Sequence, residues 1–329
     1  MSPSSMKAAV YRRFGGPEVV TVETVPRPEP ADNELLIRVH ASTVSIADYR
    51  LRTKDLPKGL GIVGPLAFGI VRPRRQILGM DFAGVVEKVG SAVTLFAPGD
   101  RVIGEPSRAS GGHAEYLVIA EDATVTLAPS NLSLEDAASL VFGGLTMSAF
   151  YNAAPPTAGA RVLVNGASGS TGTAAVQLAA AAGAHVTGVS SAGNHDFVRS
   201  LGAAEMIDYA TTDFATTASE KYDIIVDCVG NAGYSRVASI LKPGGALLMV
   251  ISGLGGMMTA RRDSRRLGGV VTATPPGGTA ADLSRVVELA EAGQFVPVIE
   301  RVYSLDEITD AHRRVGEWRK RGNLVLKLA

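Results

Sequence analysis

Short alternating runs of hydrophobic and polar positions fill the first third of the chain, and longer apolar blocks follow. Residues 7–11 and 19–25 are rich in β-branched side chains and are parted by Phe14-Gly15-Gly16-Pro17, a turn signal. Pro26, Pro28 and Pro30 stiffen a loop before residues 34–40, which alternate as a strand does. Further strands are predicted over residues 81–90, 100–104 and 114–119. After Pro129 the pattern changes. Ser133 stands as an N-cap before an apolar helical run, with Asp136 three residues on. From Arg161 onward, predicted strands (161–165, 184–190, 205–209, 223–229, 246–252) alternate with helices (173–182, 196–201, 234–241). That alternation predicts a parallel sheet with crossover connections. A helix over 306–315 and a strand over 324–328 end the chain. The expected class is α/β. A β-rich domain is expected over 1–128 and a doubly wound domain over 129–295.

Composition narrows the function classes. Apolar residues make up 46% and charged residues 19%, which excludes a disordered chain. Lys and Arg (32) balance Asp and Glu (32), so no global charge favours nucleic acid. The clusters Arg72-Pro73-Arg74-Arg75 and Arg261-Arg262 with Arg265-Arg266 read as solvated loops. One cysteine, Cys228, leaves no disulfide framework within the chain and no multi-cysteine zinc site. No apolar run reaches the roughly 18–20 residues of a membrane span, and no secretory signal is visible at the N-terminus. A soluble protein of a reducing compartment, most simply the cytoplasm, is expected, with neither membrane nor nucleic acid as partner.

The strongest local signal is Asn165-Gly166-Ala167-Ser168-Gly169-Ser170-Thr171-Gly172, where a buried strand enters a small-residue loop and then a helix. Such a loop lets backbone N–H groups at a helix N-terminus meet a pyrophosphate. The spacing is Gly166-x-x-Gly169-x-x-Gly172 rather than the standard G-x-G-x-x-G, and a tight strand–helix turn in any α/β protein is the plain alternative. The next strand ends Gly188-Val189-Ser190-Ser191-Ala192-Gly193-Asn194, with no acid before Asp196. A carboxylate there would grip a ribose 2′-hydroxyl, whereas hydroxyls and an amide suit a 2′-phosphate, so NADPH is favoured over NADH. The alternative is that these polar residues only cap the following helix.

Several further stretches, in order, carry a resemblance. They are Gly16-Pro17-Glu18-Val19, residues 77–86, Gly112-His113-Ala114-Glu115-Tyr116, residues 165–172, Ser200-Leu201-Gly202-Ala203, Ile207-Asp208-Tyr209 and Leu241-Lys242-Pro243-Gly244-Gly245. Together they resemble the zinc-free quinone oxidoreductase (zeta-crystallin-like) branch of the medium-chain dehydrogenase/reductase superfamily. The resemblance implies a GroES-like catalytic domain over 1–128, completed by 296–329, and a Rossmann domain over 129–295, with the cofactor between them. Zinc relatives use a Gly-His-Glu motif and a cysteine; here those positions read Gly79-Met80-Asp81 and residues 44–48, without thiolate or imidazole. No metal is expected. What remains is hydride delivery from NADPH to a quinone or an α,β-unsaturated carbonyl compound, whose developing charge one hydrogen-bond donor can hold.

The resemblance assigns Tyr49 and Ser45 to the reacting end, with Asp48 in a structural hydrogen bond. To the cofactor it assigns Thr146, Ser168, Gly169, Ser170, Thr171, Gly172, Ser191, Asn194, Tyr209, Val229, Ile251, Ser252 and Asn323. Many relatives carry arginine where this chain has Gly193. Cys228 is expected to be a small buried residue, and His113 a loop histidine. Residues 54–76 are expected to shape the substrate entrance. The resemblance also implies a homodimer, paired through 246–252 as an edge strand of the Rossmann sheet. The competing function class is an NADPH-binding sensor or structural protein with little turnover.

Overall fold

The computed structural model describes residues 5–61, 69–106, 111–217 and 220–328. Part of the expected substrate entrance, residues 62–68, therefore lies outside the described residues. A two-stranded antiparallel ribbon, β1 (Ser5–Tyr11) and β2 (Val20–Pro26), opens the chain. β3 (Glu34–Thr43) is followed by helix α1 (Ile46–Thr53) and by strands β4 (Phe82–Val89), β5 (Arg101–Gly104), β6 (Tyr116–Ala120) and β7 (Val125–Leu127). β4 and β6 both pair with β3, and β5 joins β4 to β7, all antiparallel. Leu35, Leu36 and Ile37 are consecutive in β3 and all fully buried. Both faces of the strand are covered there, so strict alternation does not hold.

The long helix α2 (Leu134–Ala153) starts as expected, with the Ser133 side chain accepting from Asp136 N. It is apolar nearly all round because it packs two ways. Leu134, Ala137 and Val141 join the core of the first sheet, while Leu140, Met147 and Phe150 join that of the second. Then come β8 (Arg161–Asn165), α3 (Ser170–Ala181), β9 (His185–Ser190), α4 (His195–Ser200), β10 (Glu205–Asp208), β11 (Tyr222–Asp227), β12 (Leu241–Met249), α5 (Leu254–Leu267) and β13 (Val270–Thr272). These six strands form a parallel sheet in the order β10-β9-β8-β11-β12-β13. In that order the chain reverses between β8 and β11, and ligands bind at the carboxyl ends beside such a switch point.

Helix α6 (Ala280–Glu291) leads back to β14 (Ile299–Ser304), α7 (Ile308–Gly316) and β15 (Asn323–Lys327). β15 lies between β14 and β3, so the end of the chain completes the first sheet.

Two expectations change. The stretch 246–252 is not an edge: β12 is flanked by β11 and β13, and β13 takes up its outer hydrogen bonds. The arginines at 261–266 are not in a loop but on α5, with Arg265 and Arg266 in its last turn beside the helix's carbonyl end.

Candidate active site

A cleft of about 1910 Å³ is lined by the carboxyl ends of β8, β9 and β11 and, from the other sheet's side, by α1. Its floor is the glycine loop. The first helical bond of α3 runs from Thr173 N to Gly169 O, so the N–H groups of Ser170, Thr171 and Gly172 precede the ladder. Ser168, Gly169, Ser170, Thr171 and Gly172 all line the cleft. A Cβ on Gly172 would meet Gly166 O at 2.0 Å, so only glycine lets the turn close this tightly. The far wall of the loop is tied to β15: Gly322 N donates to Ser168 O (2.8 Å) and Ser170 Oγ to Asn323 Oδ1 (2.5 Å). Asn323 itself is buried, and its amide donates to Ser139 O and Val298 O. It holds the loop rather than lining the cleft.

At one end of the cleft stand Ser191, Asn194 and the exposed Tyr209. Asn194 Nδ2 donates to Ser191 Oγ (3.2 Å). Arg321 arrives from the loop before β15, donating from Nε to Asn194 Oδ1 (2.6 Å) and from a terminal nitrogen to Gly193 O (2.8 Å). A Cβ at Gly193 would meet nothing within 4 Å, so the space above it is open. Glu300 fixes this loop by accepting from Arg321 N (2.6 Å) and from the Arg314 guanidinium (2.6 and 3.0 Å). No carboxylate stands at residues 190–192. Arg321 and a glycine-walled helix N-terminus suit the phosphates of a dinucleotide.

Toward the other end, Thr146, Val229 and Ile251 line the cleft, together with Met80 and Phe142. The Thr146 hydroxyl donates to Phe142 O (2.7 Å) within its helix. Ser252 does not line the cleft; its hydroxyl donates to Gly253 O (3.2 Å). The turn after β11 is set by the buried Asp227, which accepts from Val229 N, Gly230 N, Ala232 N and Asn165 Nδ2. Burial, with Asp227 adding, pushes the Cys228 thiol up, so it stays protonated at neutral pH.

Helix α1 presents Ile46, Ala47, Arg50 and Leu51 to the cleft. Ser45 and Tyr49 are not among the lining residues. Ser45 caps α1: its hydroxyl donates to Asp48 Oδ2 (2.6 Å), and the same carboxylate accepts from Ser45 N (2.8 Å) and, through Oδ1, from Gly79 N (2.9 Å). Tyr49 packs edge-on against Trp318, ring centroids 5.4 Å apart. Behind α1 lies a buried polar layer. Asp81 accepts from Thr43 N (2.6 Å), Thr43 Oγ1 (2.5 Å) and Ser42 Oγ (3.2 Å). Desolvation outweighs these bonds and, with Asp48 nearby, pushes its pKa up to about 7. His113, expected in a loop, is fully buried with Nε2 against Thr43 O (3.0 Å), its ring edge-on to His312. Burial first, then His113 and Arg52, keeps His312 neutral.

The chain matches the alcohol dehydrogenase GroES-like domain family over residues 31–130 and the zinc-binding dehydrogenase family over residues 201–326. It is 31% identical to the quinone oxidoreductase of Sus scrofa, over 94% of each chain. It belongs to the medium-chain dehydrogenase/reductase superfamily, in the quinone oxidoreductase branch. A chloroplastic quinone-oxidoreductase homolog of Spinacia oleracea is 34% identical across 79% of each chain. The structure of the quinone oxidoreductase from Coxiella burnetii matches with a TM-score of 0.87 at 29% identity, covering 99% of this chain and 100% of that one. As a member of this superfamily the protein is an oxidoreductase that takes a nicotinamide cofactor and a small-molecule substrate.

One matched family has zinc in its description. Among the described residues no group of three or more His, Cys, Asp or Glu is placed to hold a metal ion. The Asp81 carboxylate is turned to Thr43 and Ser42, and its neighbour facing the cleft is Met80. No helix of the described residues is long and apolar enough to cross a membrane.

Sequence reasoning did not single out Arg50, Trp318 or Arg321 as cleft residues. For Arg50 the signal was present. Ser45 followed three residues later by Asp48 is a capping box, and counting helical turns from it puts 46, 47, 50 and 51 on one face.

Proposed function

We propose that the protein reduces quinones or α,β-unsaturated carbonyl compounds with NADPH and without zinc. The observation that carries the cofactor half is the Arg321 guanidinium beside Ser191 and Asn194, with no carboxylate at residues 190–192 to repel a 2′-phosphate. Arg321 supplies from the C-terminal loop the charge that Gly193 cannot. The amides of Ser170, Thr171 and Gly172 would hold the pyrophosphate, and Thr146, Val229 and Ile251 would border the nicotinamide. When bound, the reduced nicotinamide supplies a hydride, which with one proton from water takes a quinone to its quinol and leaves the cofactor oxidised.

The residues of this chain bind and shield. Met80, Phe142, Ile46 and Leu51 form an apolar wall that keeps bulk water from the reacting end. The donor set there lacks thiolate and imidazole, so the acceptor must be one whose charge spreads by conjugation. Ser45 and Tyr49 act in this reading through α1, by fixing its cap and packing its far side. A homodimer of the cytoplasm accompanies the reading, with β13 as the outer strand available for pairing.

Steady-state oxidation of NADPH and NADH with a panel of quinones and enones tests the proposal. NADPH-driven turnover that persists after chelator treatment is expected. Tight NADPH binding with no turnover across the panel would favour the sensor alternative. Activity that vanishes with chelator and returns with zinc would overturn the metal-free chemistry.

A further inference from the structure

Arg50 lies on the cleft face of α1 with its guanidinium beside the Trp318 ring, 5.7 Å from the centroid. Its Nε is enclosed and has no acceptor among the described residues. Neither a hydrogen bond nor an ion pair engages the rest of the group there. Arg74 and Arg75 line the same cleft, also without a carboxylate partner among the described residues. The two acids that line the cleft are already engaged, Asp213 with Arg236 (2.9 Å) and Glu300 with Arg314 (2.6 Å). A buried guanidinium nitrogen without a partner is costly unless a ligand meets it. Trp318 is held in the cleft wall in a left-handed backbone conformation (φ 58°) that a bulky residue adopts at a cost.

A neutral quinone offers these arginines only carbonyl oxygens as acceptors, and no charge to pair with theirs. The cofactor's phosphates are met, in the reading above, by the α3 N-terminus and Arg321. We propose that the physiological substrate carries a permanent acid group, a carboxylate or its equivalent, and that Arg50, assisted by Arg74 and Arg75, binds it. The planar, reducible part of the molecule would then lie along Trp318 toward Met80 and Thr146. A guanidinium can meet a carboxylate with two parallel bonds, which fixes orientation as well as charge. This inference rests on the reductase reading, because it names the class of substrate for the same cleft.

The test uses a naphthoquinone bearing a propanoic acid chain and its methyl ester, whose acid group two methylenes insulate from the ring. Turnover with NADPH is measured for both. Calorimetry then compares their binding to the protein loaded with oxidised cofactor. The acid is expected to exceed the ester in kcat/KM by about tenfold or more, the size of one charge-assisted bond. That ratio should fall toward one in Arg50→Gln and in the Arg74→Gln/Arg75→Gln double variant, and recover in part in Arg50→Lys. Arg74 and Arg75 are exposed, so the double variant tests the charge without risk to folding. Equal kcat/KM for acid and ester would overturn the proposal while leaving the reductase reading intact. So would an Arg50→Gln variant that loses NADPH affinity but keeps the acid-to-ester ratio. If neither compound turns over, the reductase reading fails and calorimetry alone decides. Tighter binding of the acid, lost in Arg50→Gln, upholds the anion site, and equal binding removes it.

Discussion

Arg321 shows what one side chain can decide. Its guanidinium spans Gly193 O and Asn194 Oδ1 beside an open space, and Glu300 holds its backbone. Arg321→Gln keeps a polar group but removes the charge, so NADPH affinity should fall about tenfold while NADH affinity changes little. Fluorescence titration of both cofactors checks this; an equal loss for both would show that Arg321 does not meet the 2′-phosphate. The contrast with its neighbours explains what the sequence could reveal. Ser191 and Asn194 follow directly from the end of β9, so local order exposes them. Arg321 is 127 residues from Asn194, and only the return of the chain to β15 brings the two together. Long-range placement of that kind has no local signature.

At the scale of the element, α1 turns on its phase. The capping box at Ser45 and Asp48 sets where the helix begins, and every later position follows at 100° per residue. Ile46 and Arg50 share one face with Ala47 and Leu51, whereas Tyr49 falls against Trp318. Read as an unphased segment, the sequence pointed to Tyr49; read as a capped helix, it points to Arg50. Ser45→Ala removes the cap and one partner of the buried Asp48 carboxylate, and should lower stability by about 1–2 kcal/mol. A denaturant midpoint measures it, and no shift would mean the cap is dispensable. The strand–helix alternation from Arg161 was legible because buried parallel strands are short apolar blocks between helices. Helices α1, α5 and α6 were not, because their polar, arginine-rich or short apolar stripes do not stand out from loops.

Across the whole molecule, the buried polar layer ties stability to pH. Asp81 in the folded protein titrates at about 7, against roughly 3.9 for an unperturbed aspartate. The folded state therefore binds a proton that the unfolded state has released between these values. The contribution of Asp81 to stability is full below about pH 4 and is lost as pH rises through about 7. Asp81→Asn removes this dependence, so the melting-temperature difference between wild type and variant should fall from pH 5 to pH 8. A difference constant across that range would remove Asp81 from the account.

The last residues of the chain carry a consequence for how the protein matures. Gly322 N bonds to Ser168 O, Asn323 Oδ1 accepts from Ser170, Arg321 covers Asn194, and β15 fills the gap between β14 and β3. A nascent chain halted before Arg321 has its six parallel strands in hand, yet lacks the brace of the glycine loop and the cation over Gly193. The dinucleotide site is therefore incomplete until residues 321–327 have folded back onto the glycine loop and the first sheet.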